Sequence, residues 1–151
     1  MTLKSWLLIV VSVISAAWAH ADPAADRAQL EAILAAHDRL QPGIDEYFKS
    51  VAEDIVLMPN GAHAIEGKAA YRKHVEEFYA SGTIHIRHEA VQVHSFAEVV
   101  IVRGRAVGTY TAPGQQTVNA FQTKNLFVFR RTADDKLLVW QIIFNDTPPA
   151  G

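Results

Sequence analysis

Asn125-Leu126-Phe127-Val128-Phe129-Arg130-Arg131 runs into the polar turn Thr132 to Lys136, and then into Leu137-Leu138-Val139-Trp140-Gln141-Ile142-Ile143-Phe144-Asn145. Both runs are rich in aromatic and β-branched residues, which suit a pleated surface. The connection is too short for anything but an antiparallel neighbour. A turn from Thr132 to Lys136 pairs Arg131 with Leu137, Phe129 with Val139, Phe127 with Gln141, Asn125 with Ile143 and Thr123 with Asn145. One face of this hairpin is then aromatic and apolar with a few amides. The other carries Leu126, Val128, Leu138, Trp140, Ile142 and Phe144. A strand pair that is apolar on both faces is covered on both. Helices can cover one. A second copy of the chain, docked on the face that carries Trp140, is expected to cover the other and make a homodimer.

Working outward, the same alternating pattern fills residues 83–95, 98–111 and 119–132, separated by the short turns Phe96-Ala97 and Ala112-Pro113-Gly114. Before Gly82 the period is helical. Asp22-Pro23 and Asp26 start a helix with Leu30, Ile33, Leu34, His37 and Leu40 on one stripe, which Pro42-Gly43 should end. Asp45 can cap a short second helix with Tyr47, Phe48 and Val51. A short strand follows over Ile55 to Met58. A third helix runs from Gly67 with Tyr71, Val75, Phe78 and Tyr79. Helices followed by an uninterrupted meander predict an α+β domain with its helices on one face of the sheet.

The chain has 151 residues, no cysteine and a formal net charge of −2. That length makes one domain with a real core. The missing cysteines exclude disulfides, thiolate metal sites and a cysteine nucleophile. The acidic balance argues against nucleic acid as a partner. At the start, Lys4 precedes an apolar run from Trp6 to Ala19 and the small-residue site Ala19-His20-Ala21. This reads as a bacterial secretory signal over residues 1–21, since the run is shorter than the roughly 20 residues a membrane span needs. A single working domain over 22–151, with no membrane span after cleavage, is then expected in the periplasm or outside the cell.

Glu53-Asp54-Ile55-Val56-Leu57-Met58-Pro59-Asn60-Gly61, then Ile65-Glu66-Gly67-Lys68-Ala69-Ala70-Tyr71, together with the Asn125 to Arg131 run, Trp140 and Phe144-Asn145-Asp146, resemble the SnoaL-like branch of the nuclear transport factor 2-like superfamily. The likeness covers about residues 26 to 147. It implies a cone: a curved antiparallel sheet wrapped around helices and an apolar pocket, often dimeric through the outer face of the sheet. It also implies a range of activities, from ketosteroid isomerases, cyclases and dehydratases to binding modules without catalysis.

The resemblance puts a catalytic carboxylate just before the proline that ends the first strand. Here that position is Met58, and a thioether takes no proton. The hydrogen-bonding acid of the third long strand is matched by Asn125, and the acid near the chain end by Ile142 and Ile143. Histidines remain. His63, in the loop after Pro59, is the candidate general base. His37, on the first helix's apolar stripe, reads as a core histidine. His85 and His88 point to opposite faces of a strand, so no metal site is expected from them, and no cofactor is implied. Met58, Tyr110, Asn125, Phe127, Gln141 and Asn145 are the expected pocket lining, Tyr110 because it alternates with the small residues Gly104, Ala106 and Gly108. Three functions follow: an exported binder of a small apolar molecule, a small isomerase, cyclase or dehydratase, or a structural dimer with no ligand.

Overall fold

The computed structural model describes residues 22–147, and the leader expected over residues 1–21 lies outside them. Helix α1 spans Pro23–His37, α2 Leu40–Phe48 and α3 Lys68–Ala80. The strands are β1 (Val51–Met58), β2 (Ile65–Glu66), β3 (Thr83–Ser95), β4 (Val99–Thr111), β5 (Asn119–Arg131) and β6 (Leu137–Asp146). They form one curved, unclosed six-stranded sheet in the order β2-β1-β6-β5-β4-β3, with β1 and β6 parallel and every other pair antiparallel. The expected α+β cone is the observed architecture.

Local chemistry explains the helices. The Asp22 carboxylate caps α1 by accepting from the N–H groups of Ala24 and Ala25, and Pro23 sits where no N–H is needed. Helix α1 stops at His37, five residues before Pro42, because the chain turns at Asp38-Arg39 and re-enters a helix at Leu40. Pro42 and Gly43 do not end a helix, as their composition suggests. They fall in the first turn of α2, where an N–H at Pro42 would have no partner inside the helix and the Gly43 N–H donates to the Arg39 carbonyl at 3.0 Å. The second helix closes at Phe48, and the strand after it begins at Val51 rather than Ile55. Glu53 and Asp54 are therefore strand residues, exposed and paired to Lys68 and Arg130.

The core lies between the helices and the inner face of the sheet. Leu30, Tyr47, Phe48, Ile55, Val100, Val102, Phe129 and Val139 are almost wholly buried in it. One ion pair ties the start of α1 to the end of β5: Arg131 to Asp26 at 2.8 Å, with side chains 4% and 1% exposed. The hairpin register holds as expected at its closed end, with Arg131 opposite Leu137 and Phe129 opposite Val139. It then shifts. Val128 faces Gln141, Phe127 faces Ile142, Asn125 faces Phe144 and Thr123 faces Asp146. A β-bulge at Trp140 absorbs one residue, and such a bulge moves every later side chain of the strand to the opposite face. The outer face at the bulge is tied to β1: Trp140 Nε1 donates to Asp54 at 3.1 Å, and the Arg130 guanidinium lies over the indole.

Candidate functional site

The inner face of the sheet and the three helices enclose a cavity of about 590 Å³. Its floor is β4, where Ala106, between Gly104 and Gly108 in the alternation, is a lining residue. Leu57, Val75, Phe78, Tyr79, Phe121, Phe127, Ile142 and Phe144 give it apolar walls. Tyr110 closes one end, its hydroxyl donating to the Ser81 carbonyl at 2.8 Å. At another edge Asn60 donates to Asp146 at 2.8 Å, joining the loop after β1 to the end of β6.

Polar groups converge on two places in the wall. The first lies on β5, where the Thr123 hydroxyl donates to Asn125 Oδ1 at 2.6 Å, both residues being buried. With its oxygen taken, Asn125 has its amide N–H groups to offer to the cavity. The second joins the end of α1 to β3. The Asp38 carboxylate accepts from the backbone N–H of His88 with both oxygens at 3.1 Å, and from the ring Nδ1 at 2.6 Å. A carboxylate at Nδ1 sets the tautomer: the proton sits on Nδ1, and Nε2 carries the lone pair. The His88 side chain is 5% exposed and lines the cavity. A carboxylate-oriented imidazole in an apolar wall is the arrangement of a general acid–base.

His37 packs edge-on against His88, ring centroids 4.4 Å apart, and edge-on against Tyr47 at 4.6 Å. Burial, reinforced by the nearby His88, holds His37 well below the usual histidine range. Its Nδ1 is buried without a hydrogen-bond partner. The Tyr47 and Tyr71 hydroxyls meet at 3.0 Å, and burial raises the pKa of both. Burial also pushes Tyr79 up to about 12. These phenols stay protonated at neutral pH, as hydrogen-bond donors or acceptors and not as bases.

Of the residues expected to line a pocket, Tyr110, Asn125 and Phe127 do so. Met58 does not, because β1 presents Leu57 to the cavity in its place. Gln141 and Asn145 do not, because the bulge at Trp140 turns Ile142, Phe144 and Asp146 inward. His63 is exposed in its loop and is not a lining residue. The Asp38–His88 pair, by contrast, joins residues fifty positions apart, and no motif links them. One signal was present: His88 shares its alternation with Ile84 and Ile86, which places it inside with them, while His85 and Arg87 are exposed. His74, on α3, also lines the cavity.

The chain matches the SnoaL-like domain over residues 27–140. No curated protein matches it significantly. Among solved structures it is similar to a ketosteroid isomerase-like protein from Erwinia carotovora atroseptica, at 22% identity and a TM-score of 0.70, covering 82% of this chain and 94% of that one. An NTF2-like protein with a cystatin-like fold from Novosphingobium aromaticivorans is similar at 16% identity and a TM-score of 0.71, covering 85% and 86%. A protein from Catenulispora acidiphila, solved in complex with S-DNPA, is similar at 20% identity and a TM-score of 0.60, covering 82% and 94%. No helix among the described residues is long and apolar enough to cross a membrane. With the family match spanning most of the chain and the six-stranded cone on the page, the protein belongs to the SnoaL-like domain family.

Proposed function

We propose that the cavity takes one small, largely apolar molecule and that the Asp38–His88 pair acts on it as a general acid–base, in proton transfer of the isomerase or dehydratase kind. The observation that carries this reading is the pair itself: a carboxylate-held imidazole in the wall of a mostly apolar cavity. Asp38 keeps the Nδ1 proton in place, so Nε2 can accept a proton from a bound molecule and return it. Asn125 can donate to an oxygen that gains charge during the step. The volume lies in the range of small-molecule sites. A similar fold that holds a small molecule supports the same reading. The protein acts after export, once residues 1–21 are removed.

Binding without turnover is the second reading. It is favoured by the apolar side chains, Leu57, Ile142 and Phe144, that β1 and β6 present to the cavity. A purely structural role is disfavoured, because Phe121 and Phe127 line the space without filling it.

Native mass spectrometry of the protein from its own host tests all of this. A retained small molecule on a chain that begins at Asp22 is the expected result. With that molecule in hand, His88→Asn should still bind it but lose its conversion by about a hundredfold or more, the usual worth of a positioned acid–base. Equal conversion by His88→Asn removes His88 from the mechanism, and binding with no conversion in either protein selects the second reading. A bare chain, or one that keeps residues 1–21, overturns the corresponding part.

A further inference from the structure

His37, Asp38 and His88 bring three donor atoms within 4.8 Å of one another at the cavity wall. Two imidazoles and one carboxylate are the donor set of many divalent transition-metal sites that keep open positions for a substrate. We infer that this cluster binds a divalent cation of the zinc type, with His37, Asp38 and His88 as its protein ligands and its open positions toward the cavity.

Three features of the cluster support this. The two histidine rings stand nearly perpendicular, centroids 4.4 Å apart, as two imidazoles on one small ion must avoid stacking. His37 Nδ1 is buried and meets no partner, so coordination through it sacrifices no hydrogen bond. Asp38 and His88 Nδ1 already share a proton across 2.6 Å. Metal–donor bonds of about 2.0–2.2 Å need only a modest opening of that pair and a small rotation of the His37 ring. The cation takes the place of the shared proton, which moves to His88 Nε2 as the neutral imidazole changes tautomer. Metal and proton are thus alternative occupants of the gap between Asp38 and His88 Nδ1. The free Nε2 base described above belongs to the proton-loaded form.

The sequence offered no sign of such a site. His85 and His88 are on opposite faces, and neither spacing nor a shared helix links His88 to His37. The site exists only because the end of α1 packs on β3.

The test is a Co²⁺ titration of the full, tag-free protein after chelator treatment. One equivalent should bind with the intense visible absorption of a low-symmetry nitrogen–oxygen site and be displaced by Zn²⁺. His37→Ala keeps the Asp38–His88 bond and should weaken binding by at least about tenfold. His85→Ala and His94→Ala, at exposed histidines, should change nothing. If His37→Ala fails to fold, X-ray absorption on the zinc-loaded wild type decides, with two imidazoles per ion expected. A pale hexaaqua-like spectrum, undiminished binding by His37→Ala, or fewer than two imidazoles overturns the inference. None of these readouts needs a ligand of the cavity, so their failure would leave the small-molecule reading intact.

Discussion

His37 is neutral in the folded protein across the range where an unfolded histidine gains its charge. Burial disfavours its cation first, and the neighbouring His88 does so second. The unfolded chain takes up this proton near the ordinary value of 6.5. Below that pH the unfolded state holds more protons than the folded one, so stability present above 6.5 is lost as pH falls toward the depressed folded value. The slope from this one residue is at most about 1.4 kcal/mol per pH unit. Urea denaturation between pH 5 and pH 8 should show wild-type stability falling toward the acid side. His37→Phe, which keeps the edge-on ring contacts but cannot titrate, should show a shallower fall. Identical slopes in the two proteins would assign the acid sensitivity to other groups. At this scale the sequence was legible only in part. The apolar stripe places His37 inside, and the alternation of Ile84, Ile86 and His88 places His88 inside. That the two rings meet depends on how α1 seats against β3, and periodicity within either element carries no such information.

Strand boundaries were the most legible elements. The runs read at 83–95, 98–111, 119–132 and 137–146 match β3 to β6 to within a residue, because period and turn chemistry agree along each. Register was less legible. The bulge at Trp140 has no glycine to announce it; it arises where β6 must pair with β5 on one side and with an irregular β1 on the other. The floor of the cavity shows how tightly such strands constrain one another. A methyl group at Gly108 would lie 2.3 Å from the His85 carbonyl oxygen and 2.6 Å from the Phe121 ring. Gly108→Ala must therefore push backbone as well as side chain and should cost roughly 1–3 kcal/mol. The same change at Gly43, in α2, meets nothing within 4 Å and should be neutral or stabilising by up to about 1 kcal/mol. Thermal denaturation of the two variants distinguishes them; equal shifts would mean that β3 and β5 yield to the added methyl.

For the whole molecule, the outer face of the sheet is the surface that a second copy would meet. Leu126 is 37% exposed there, and Trp140 and Val128 are only half-covered by the chain itself. A homodimer through this face would cover them. Trp140→Glu places a second acid beside Asp54, which now receives the indole N–H. Light scattering should report a dimer for the wild type and a monomer for this variant, with the fold unchanged by circular dichroism. A variant that remains dimeric would move the interface elsewhere. The α+β class, the helices on one face and the cone were all legible from the chain, since they rest on pattern. The homodimer rests on the same pattern, an outer sheet face apolar enough to call for a second copy.

The bulge at Trp140 has a consequence for how this protein can change over generations. It divides β6 into two halves whose side-chain assignments are independent. Smoothing it out, with no change in residue content, would exchange Ile142, Phe144 and Asp146 for Gln141, Ile143 and Asn145 along the cavity wall. One lineage could thus acquire a new ligand preference through a single backbone event, drawing on side chains it already encodes on the opposite face.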